Sequence, residues 1–179
     1  IQLRPITNSQ DVLRMVPGLF IGQHAGGGKA EQLFIRGFDL DHGTDINISV
    51  DGIPVNMVSH AHGQGYADLH FVIPELIQQV DFNKGPYFAD KGNFTTAGFV
   101  AFKTKDYLEK PFVKVELGQF QTYRTVAGFN LLKPKTENPN KSLYFAGEGS
   151  FSNGFFTHPQ NFNRFNGILK YKHKLNATN

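Results

Sequence analysis

The sequence contains no cysteine and no tryptophan, and none of its apolar runs approaches the roughly 18 residues of a membrane-spanning helix. Without cysteine, the chain can form neither a disulfide framework nor a thiolate metal site. The absence of a long apolar run excludes a helical membrane protein. A membrane β-barrel is not excluded, because its strands alternate lipid-facing and water-facing residues and leave a weak signal in the average hydropathy.

Charge of one sign is not concentrated in any segment. The 18 basic residues are interspersed with 15 acidic ones, and the net charge is only +3. Nucleic-acid-binding domains carry their basic residues in a patch or stripe, so we expect no nucleic-acid partner.

Catalytic patterns are also missing from the sequence. It has no serine, histidine and aspartate set, no paired carboxylates within one motif and no nucleophile elbow. The run from Gly26 to Lys29 lacks the spacing of a phosphate-binding loop. We therefore expect that the chain is not an enzyme and needs no cofactor.

Phenylalanine and glycine are abundant, with 18 and 19 residues, which is typical of aromatic strands separated by tight turns. Up to Lys105, short strand patterns alternate with two short helix patterns, at Gln10 to Val16 and at Glu75 to Gln79. Asp51 and Gly52 predict a hairpin turn. This mixture predicts an α+β domain with a small mixed sheet and short helices.

From Phe112 onward the sequence alternates apolar and polar residues over longer segments. Four such segments predict an antiparallel meander of strands about ten residues long, the length and alternation of outer-membrane barrel strands. A soluble meander that packs on a neighbouring domain is the alternative interpretation. The apolar residues that carry this alternation fall at odd positions: Val113, Val115 and Leu117; Tyr123, Ala127, Phe129 and Leu131; Leu143, Phe145 and Phe151; Phe165, Leu169, Tyr171 and Leu175.

Five short motifs follow one another before this meander. They are Asp11-Val12-Leu13 with Val16-Pro17-Gly18, Ile35-Arg36-Gly37-Phe38, Val50-Asp51-Gly52-Ile53-Pro54-Val55, Asp81-Phe82-Asn83-Lys84-Gly85-Pro86, and Ala97-Gly98-Phe99-Val100 with Lys103-Thr104-Lys105. In this order and spacing they resemble the plug domain of TonB-dependent outer-membrane receptors, and the meander resembles the first four strands of their barrel. The family usually has Glu and Arg where this chain has Asp81 and Lys84.

The resemblance implies an α+β plug domain over residues 1–105, followed over residues 106–179 by antiparallel strands of an incomplete transmembrane β-barrel. It implies a receptor in the outer membrane of a Gram-negative bacterium that takes up a scarce solute, such as a siderophore or a metal complex, by energy-coupled transport. The implied partners are the solute, outer-membrane lipid and a TonB-type energy-coupling protein, whose contact box is not in this sequence. A soluble periplasmic binding module with a plug-like fold is the alternative function.

The resemblance also implies that the externally facing loops of the plug meet the ligand. Three segments match these loops: Gln23 to Lys29, Asp39 to Asp45, and Asn56 to Asp68. The predicted ligand-binding residues are His24, Lys29, Asp41, His42, Asn56, His60, His62, Gln64 and Tyr66.

Two of these histidines are also candidate metal ligands. His60 and His62 alternate along an extended segment, so their imidazoles can point the same way and share a metal. His70, Asp68 or the loop residues His24 and His42 would complete the site. Hydrogen bonding within the loop and contact with a non-metal ligand are the alternatives. Other motif residues are assigned a structural role: Arg36, Gly37, Asp51, Gly52, Lys84, Gly85 and Pro86.

Overall fold

The computed structural model describes residues 6, 9–23, 27–40, 42–134 and 140–175. The chain divides into two units, Ile1–Thr104 and Lys105–Asn179, called unit 1 and unit 2 below. Among the described residues, no helix combines the length and the hydropathy needed to cross a bilayer.

Unit 1 begins with a 3₁₀ helix and a three-stranded antiparallel sheet. The helix η1 spans Ser9–Met15, and the strands are β1 (Leu19–Gly22), β2 (Gln32–Ile35) and β3 (Phe38–Asp39). The helix lies where the sequence predicts one, and it buries the predicted apolar residues Val12, Leu13 and Val16.

A second, four-stranded sheet completes unit 1. Its strands are β4 (Ile46–Val50), β5 (Ile53–Pro54), β6 (Ile77–Lys84) and β7 (Gly98–Thr104), in the order β5-β4-β7-β6. The strands β4 and β7 are parallel, and the other pairs are antiparallel. The sheet is therefore mixed, as predicted. Two single-turn 3₁₀ helices flank β6: η2 (Pro74–Leu76) and η3 (Ala89–Lys91).

The predicted helix from Glu75 to Gln79 is too long. It ends at Leu76, and Ile77 already belongs to β6, where it pairs with Thr104 and is buried. Pairing with a strand distant in sequence outweighs the local helical preference of this segment.

The core of unit 1 is apolar and draws residues from the first helix, both sheets and the loop after β5. Its buried members are Ile6, Val12, Leu13, Val16, Leu19, Ile21, Leu33, Ile35, Leu40, Ile46, Ile48, Ala67, Leu69, Val72, Ile77, Ala97, Val100 and Phe102.

The predicted motif residues lie in turns of this unit. Arg36 and Gly37 connect β2 to β3 with φ of 52° and 80°, and Asp51 and Gly52 connect β4 to β5 with φ of 51° and 82°. Two successive positive φ angles are the geometry of the type I′ hairpin turn. The Asp51 carboxylate also accepts hydrogen bonds from the backbone N–H and the hydroxyl of Thr104, so this turn holds the end of β7.

The Lys84-Gly85-Pro86 motif lies at the end of β6, next to the beginning of β7. The Gly85 N–H donates to the Ala97 carbonyl over 2.8 Å, and Gly85 has a φ of 84°. The ring of Tyr87 lies so close to Gly85 that an added Cβ would be 2.6 Å from it. The motif therefore requires glycine for both its conformation and its packing.

Unit 2 is a four-stranded antiparallel sheet. Its strands are β8 (Phe112–Gly118), β9 (Thr122–Leu132), β10 (Lys141–Ser152) and β11 (Phe162–His173), arranged consecutively. The predicted meander is confirmed, and so is the order of a small mixed sheet with short helices followed by antiparallel strands.

The two faces of the unit 2 sheet differ in character. The face with odd-numbered residues is apolar and exposed, with Val113 at 74%, Leu117 at 76% and Phe165 at 81% exposure. The even-numbered face carries buried or half-buried residues, among them Arg124 and Glu148.

Candidate functional site

Tyr66 connects three loops of unit 1. Its hydroxyl oxygen accepts a hydrogen bond from the Ala30 N–H over 2.9 Å, directly after the glycine-rich segment. Its ring contacts three imidazoles, with centroid distances of 5.6 Å to His42, 4.1 Å to His60 and 5.9 Å to His62. We call these three histidines and Tyr66 the imidazole cluster.

The imidazole cluster has a buried base and an exposed rim. His42 is 1% exposed, and its ring lies 4.5 Å from that of His62. His60 stacks on Tyr66 with an interplanar angle of 14°, and both His60 and His62 are exposed. A ligand can therefore reach two imidazoles whose positions are set by ring contacts underneath them.

Backbone hydrogen bonds fix the loop that carries the rim. The Met57 N–H donates to the Tyr66 carbonyl over 2.9 Å, and the Gly65 N–H donates back to the Met57 carbonyl over 2.7 Å. At the tip, the His62 N–H donates to Nδ1 of His60 over 3.1 Å. The two histidines are thus held by the loop itself and by their rings.

Asn56 anchors the base of this loop. Its Oδ1 accepts from the Ile48 N–H over 2.7 Å, and its Nδ2 lies 2.9 Å from the carbonyl oxygens of Gly43 and Ile46 and 3.0 Å from that of Gly65. The side chain is buried. Its polar atoms are used to join β4 to the two loops, so the structure shows it as a positioning residue.

Gly65 allows the loop to approach its neighbours closely. Its φ is 84°, and an added Cβ would lie 2.9 Å from the Phe94 ring and 3.0 Å from Thr44 Cα. Glycine is required here for both conformation and space.

The structure brings together five of the predicted ligand-binding residues: His42, Asn56, His60, His62 and Tyr66. Lys29 is half-buried and Gln64 is exposed on the same loops, and within the described residues no hydrogen bond or ring contact joins either to the imidazole cluster. His24 and Asp41 lie outside the described residues. The sequence offered no signal for the bond between Tyr66 and Ala30, which are 36 positions apart.

Of the residues considered for completing a metal site, Asp68 and His70 are engaged with each other. His42 lies within the imidazole cluster, and His24 lies outside the described residues. Asp68 Oδ1 accepts from the His70 N–H over 2.7 Å and lies 2.5 Å from His70 Nδ1, which is also 3.3 Å from the Gln10 side-chain nitrogen. In the described part of the chain, no group of three or more His, Cys, Asp or Glu residues is placed to hold a metal ion. Metal binding by His60 and His62 stays a prediction.

Comparisons with known proteins agree with this architecture. The family model for the TonB-dependent receptor plug domain matches residues 1–99. The ferric enterobactin receptor PfeA of Pseudomonas aeruginosa, solved in complex with enterobactin, is 25% identical with a TM-score of 0.60, over 84% of this chain and 23% of the receptor.

Two further solved structures share the fold. The copper transporter OprC is 19% identical with a TM-score of 0.60, over 83% of this chain and 22% of the transporter. The iron transporter FrpB of Neisseria meningitidis is 18% identical with a TM-score of 0.65, over 97% of this chain and 28% of the transporter. The chain thus spans between 22% and 28% of the length of these three proteins.

Proposed function

The chain belongs to the TonB-dependent receptor plug domain family, and from this membership we propose that it is the plug and the first four barrel strands of an outer-membrane receptor for energy-coupled solute uptake. The observation that carries the proposal is the two-faced sheet of unit 2, which follows directly after the plug. Residues 1–105 are the plug in this proposal, and residues 106–179 are barrel strands.

The polarity of the unit 2 sheet supports a position in a membrane. Its odd-numbered face exposes large apolar side chains, whereas Glu148 on the other face accepts hydrogen bonds from Arg124, Arg164 and Asn166. Water solvates such an apolar face poorly, but lipid solvates it well, and barrel strands alternate in this way. Tyr123 and Phe151 pair near one end of the apolar face, with ring centroids 6.4 Å apart, which fits the aromatic girdle of such barrels.

The imidazole cluster supports a role of the plug in ligand binding. His60, His62 and Tyr66 present two exposed imidazoles and an aromatic ring on loops that Asn56 holds in place. We assign ligand contact to these three residues, together with Lys29 and Gln64 on the same loops and His24, Asp41 and His42 from the sequence. The similar receptors carry ferric enterobactin, copper or iron, so the proposed solute is a siderophore or metal complex.

The proposed partners follow from this role. They are the solute, the lipid of the outer membrane of a Gram-negative bacterium, and a TonB-type protein that supplies energy from the periplasmic side. Binding and release without chemical turnover is the expected activity.

Uptake by cells that express the full-length receptor tests the proposal. Labelled ferric siderophores and copper are supplied with and without a protonophore, and the receptor is located by fractionation. We expect it in the outer membrane, with accumulation of one solute that stops when the protonophore is added. A double variant, His60→Ala with His62→Ala, is expected to lower that uptake, and the exposed Gln78→Ala in β6 serves as the matched control.

Two results would contradict the proposal. One is recovery of the protein in the soluble periplasmic fraction, which would favour the alternative function of a soluble periplasmic binding module. The other is accumulation that is unaffected by the protonophore.

A further inference from the structure

One end of the unit 2 sheet carries an exposed aromatic cluster that the proposed uptake function does not use. Phe120 lies in the turn between β8 and β9, and Phe155 and Phe156 lie in the loop between β10 and β11. The ring centroids of Phe120 and Phe155 are 6.4 Å apart, and those of Phe155 and Phe156 are 4.3 Å apart. Their exposures are 53%, 70% and 37%, so three neighbouring rings face solvent. We call them the end cluster.

Hydrogen bonds between the two loops and within the second loop fix the end cluster in place. The Asn153 N–H donates to the Phe120 carbonyl over 3.0 Å, and Nδ2 of Asn153 donates to the Gln121 side-chain oxygen over 2.6 Å. The Gln160 N–H donates to the Asn153 carbonyl over 2.9 Å. The rings are therefore presented by a tied framework, which lowers the entropy lost when a ligand binds.

The surroundings of the end cluster are polar but carry no acidic or strongly basic side chain. Residues 118–123 and 153–163 contain no Asp, Glu, Lys or Arg. Their exposed polar groups are mainly amides, on Gln119, Gln121, Gln160 and Asn161. Amides can donate and accept hydrogen bonds at once, and they carry no charge.

Exposed aromatic rings beside uncharged amides restrict the kind of ligand that can bind here. Phosphate-rich ligands such as nucleic acids or lipopolysaccharide cores require cationic side chains, which both loops lack. A purely apolar ligand that covered these amides would displace water from them and offer no hydrogen bond in return. A pyranose ring satisfies both features, because its C–H face packs on an aromatic ring while its hydroxyl groups exchange hydrogen bonds with amides.

We propose that the end cluster is a binding site for a neutral saccharide chain. Phe155, the most exposed ring, forms the main stacking surface, and Phe120 and Phe156 extend it so that more than one sugar unit is held. Gln121 and Gln160 bond the hydroxyl groups at the edge. The site lies on unit 2 and does not depend on the identity of the transported solute.

The end cluster is distinct from the aromatic residues of the apolar face. Phe165 lies on that face within β11 and is 81% exposed, but it belongs to the strand pattern and not to the two loops. A variant at Phe165 therefore separates membrane anchoring from saccharide binding.

The test is calorimetric titration of the full-length receptor in detergent with neutral oligosaccharides, namely maltoheptaose, cellohexaose and mannohexaose. Polygalacturonate oligomers and purified lipopolysaccharide are the anionic probes. We expect at least one neutral probe to bind, with an affinity about tenfold weaker in Phe155→Ala. Phe155→Trp is expected to keep the affinity, and Phe165→Ala to leave it unchanged.

Three outcomes would overturn the proposal. The first is no binding of any neutral probe to the unaltered receptor, and the second is binding of the anionic probes alone. The third is an equal loss in Phe155→Ala and Phe165→Ala, which would assign the rings to the membrane interface. Far-ultraviolet circular dichroism of each variant excludes misfolding as the cause of a loss.

Discussion

Unit 1 and unit 2 differ in where their apolar side chains lie. In unit 1 both sheets contribute to one apolar core, with members such as Ile48 and Val100 at 0% exposure. In unit 2 the buried set includes Arg124 at 3% and Glu148 at 4%, while Val113 and Leu117 on the opposite face are exposed. One chain therefore contains a unit with a buried apolar core, followed by a sheet with an exposed apolar face.

This difference shows that the presence of buried residues does not by itself tell whether the exposed face of a sheet contacts water or lipid. The unit 2 strands are as regular as those of unit 1. Among the described residues, however, the large side chains of their apolar face stay exposed. A bilayer supplies such a partner, because lipid replaces water on one face only. Substitutions at single residues test this contrast.

The largest effect is expected at the buried charges of unit 2. Glu148→Ala removes the buried carboxylate shared by Arg124 and Arg164, and it should lower the free energy of unfolding by about 4 kcal/mol. Arg164 then loses its carboxylate partner in a buried setting, whereas Arg124 keeps only its ion pair with Glu116. Urea unfolding of the full-length receptor in phospholipid measures the change. The control is Lys114→Ala, which removes an exposed ion pair to Glu116 and should cost less than about 0.5 kcal/mol. Equal losses of free energy of unfolding in the two variants would show that the ion pairs of Glu148 are not buried.

A second contrast concerns glycine in the two units. At Gly98 in β7, an added Cβ would lie 2.2 Å from the Asn83 carbonyl oxygen, and φ is 147°, so Gly98→Ala should cost about 3 kcal/mol through displacement of β6 from β7. At Gly167 in β11, no atom lies within 4 Å of such a Cβ. Gly167→Ala should change stability by less than about 0.5 kcal/mol. Hydrogen exchange of the β6 and β7 amides measures the first effect, and unchanged protection in Gly98→Ala would refute it.

A third, smaller effect is expected where Asn56 anchors the imidazole cluster. Asn56→Ala leaves the Ile48 N–H and three carbonyl groups without their partner, and it should destabilise the loop by about 2 kcal/mol. The amides of Met57 and Gly65 should then exchange about thirtyfold faster, since this local opening sets their rate. Gln64→Ala, on the exposed part of the same loop, should leave both rates unchanged. If the rates in Asn56→Ala match those of the control, the anchoring role is wrong.

An effect of similar size distinguishes whether lipid or water covers the apolar face of unit 2. Val115 lies midway along β8 and is 63% exposed, so Val115→Lys should cost about 2 kcal/mol when the receptor is folded in a bilayer. A soluble sheet would tolerate this change within about 0.5 kcal/mol. Unfolding in vesicles measures the cost, with Gln78→Lys in unit 1 as the control, and a neutral result for Val115→Lys would support the soluble alternative.

Local features were the most predictable part of the fold. The Asp51-Gly52 turn was predicted from two adjacent residues, because only a few backbone conformations fit a two-residue hairpin. The meander was predicted from parity, because side chains alternate faces along a strand. The helix after Pro74 was predicted too long, because Ile77 pairs with Thr104 and Gln79 with Lys103, which a local pattern does not reveal.

The candidate site was predictable in part. His60, His62 and Tyr66 stand close together in the sequence, so their loop could be identified, and the structure places them in contact. The role of Asn56 was predicted as ligand contact, whereas its amide joins β4 to two loops. Only the folded backbone brings those acceptors within reach of one side chain.

The sequence by itself determined where the strands alternate, where the hairpins turn and which side of unit 2 is apolar, because these depend on periodicity and local sterics. The tertiary structure alone decided the parallel pairing of β4 with β7, the meeting of three loops at Tyr66 and the burial of Glu148 between two arginines. These arrangements join residues far apart in the chain, and their energies come from packing and desolvation that arise only when the chain has folded.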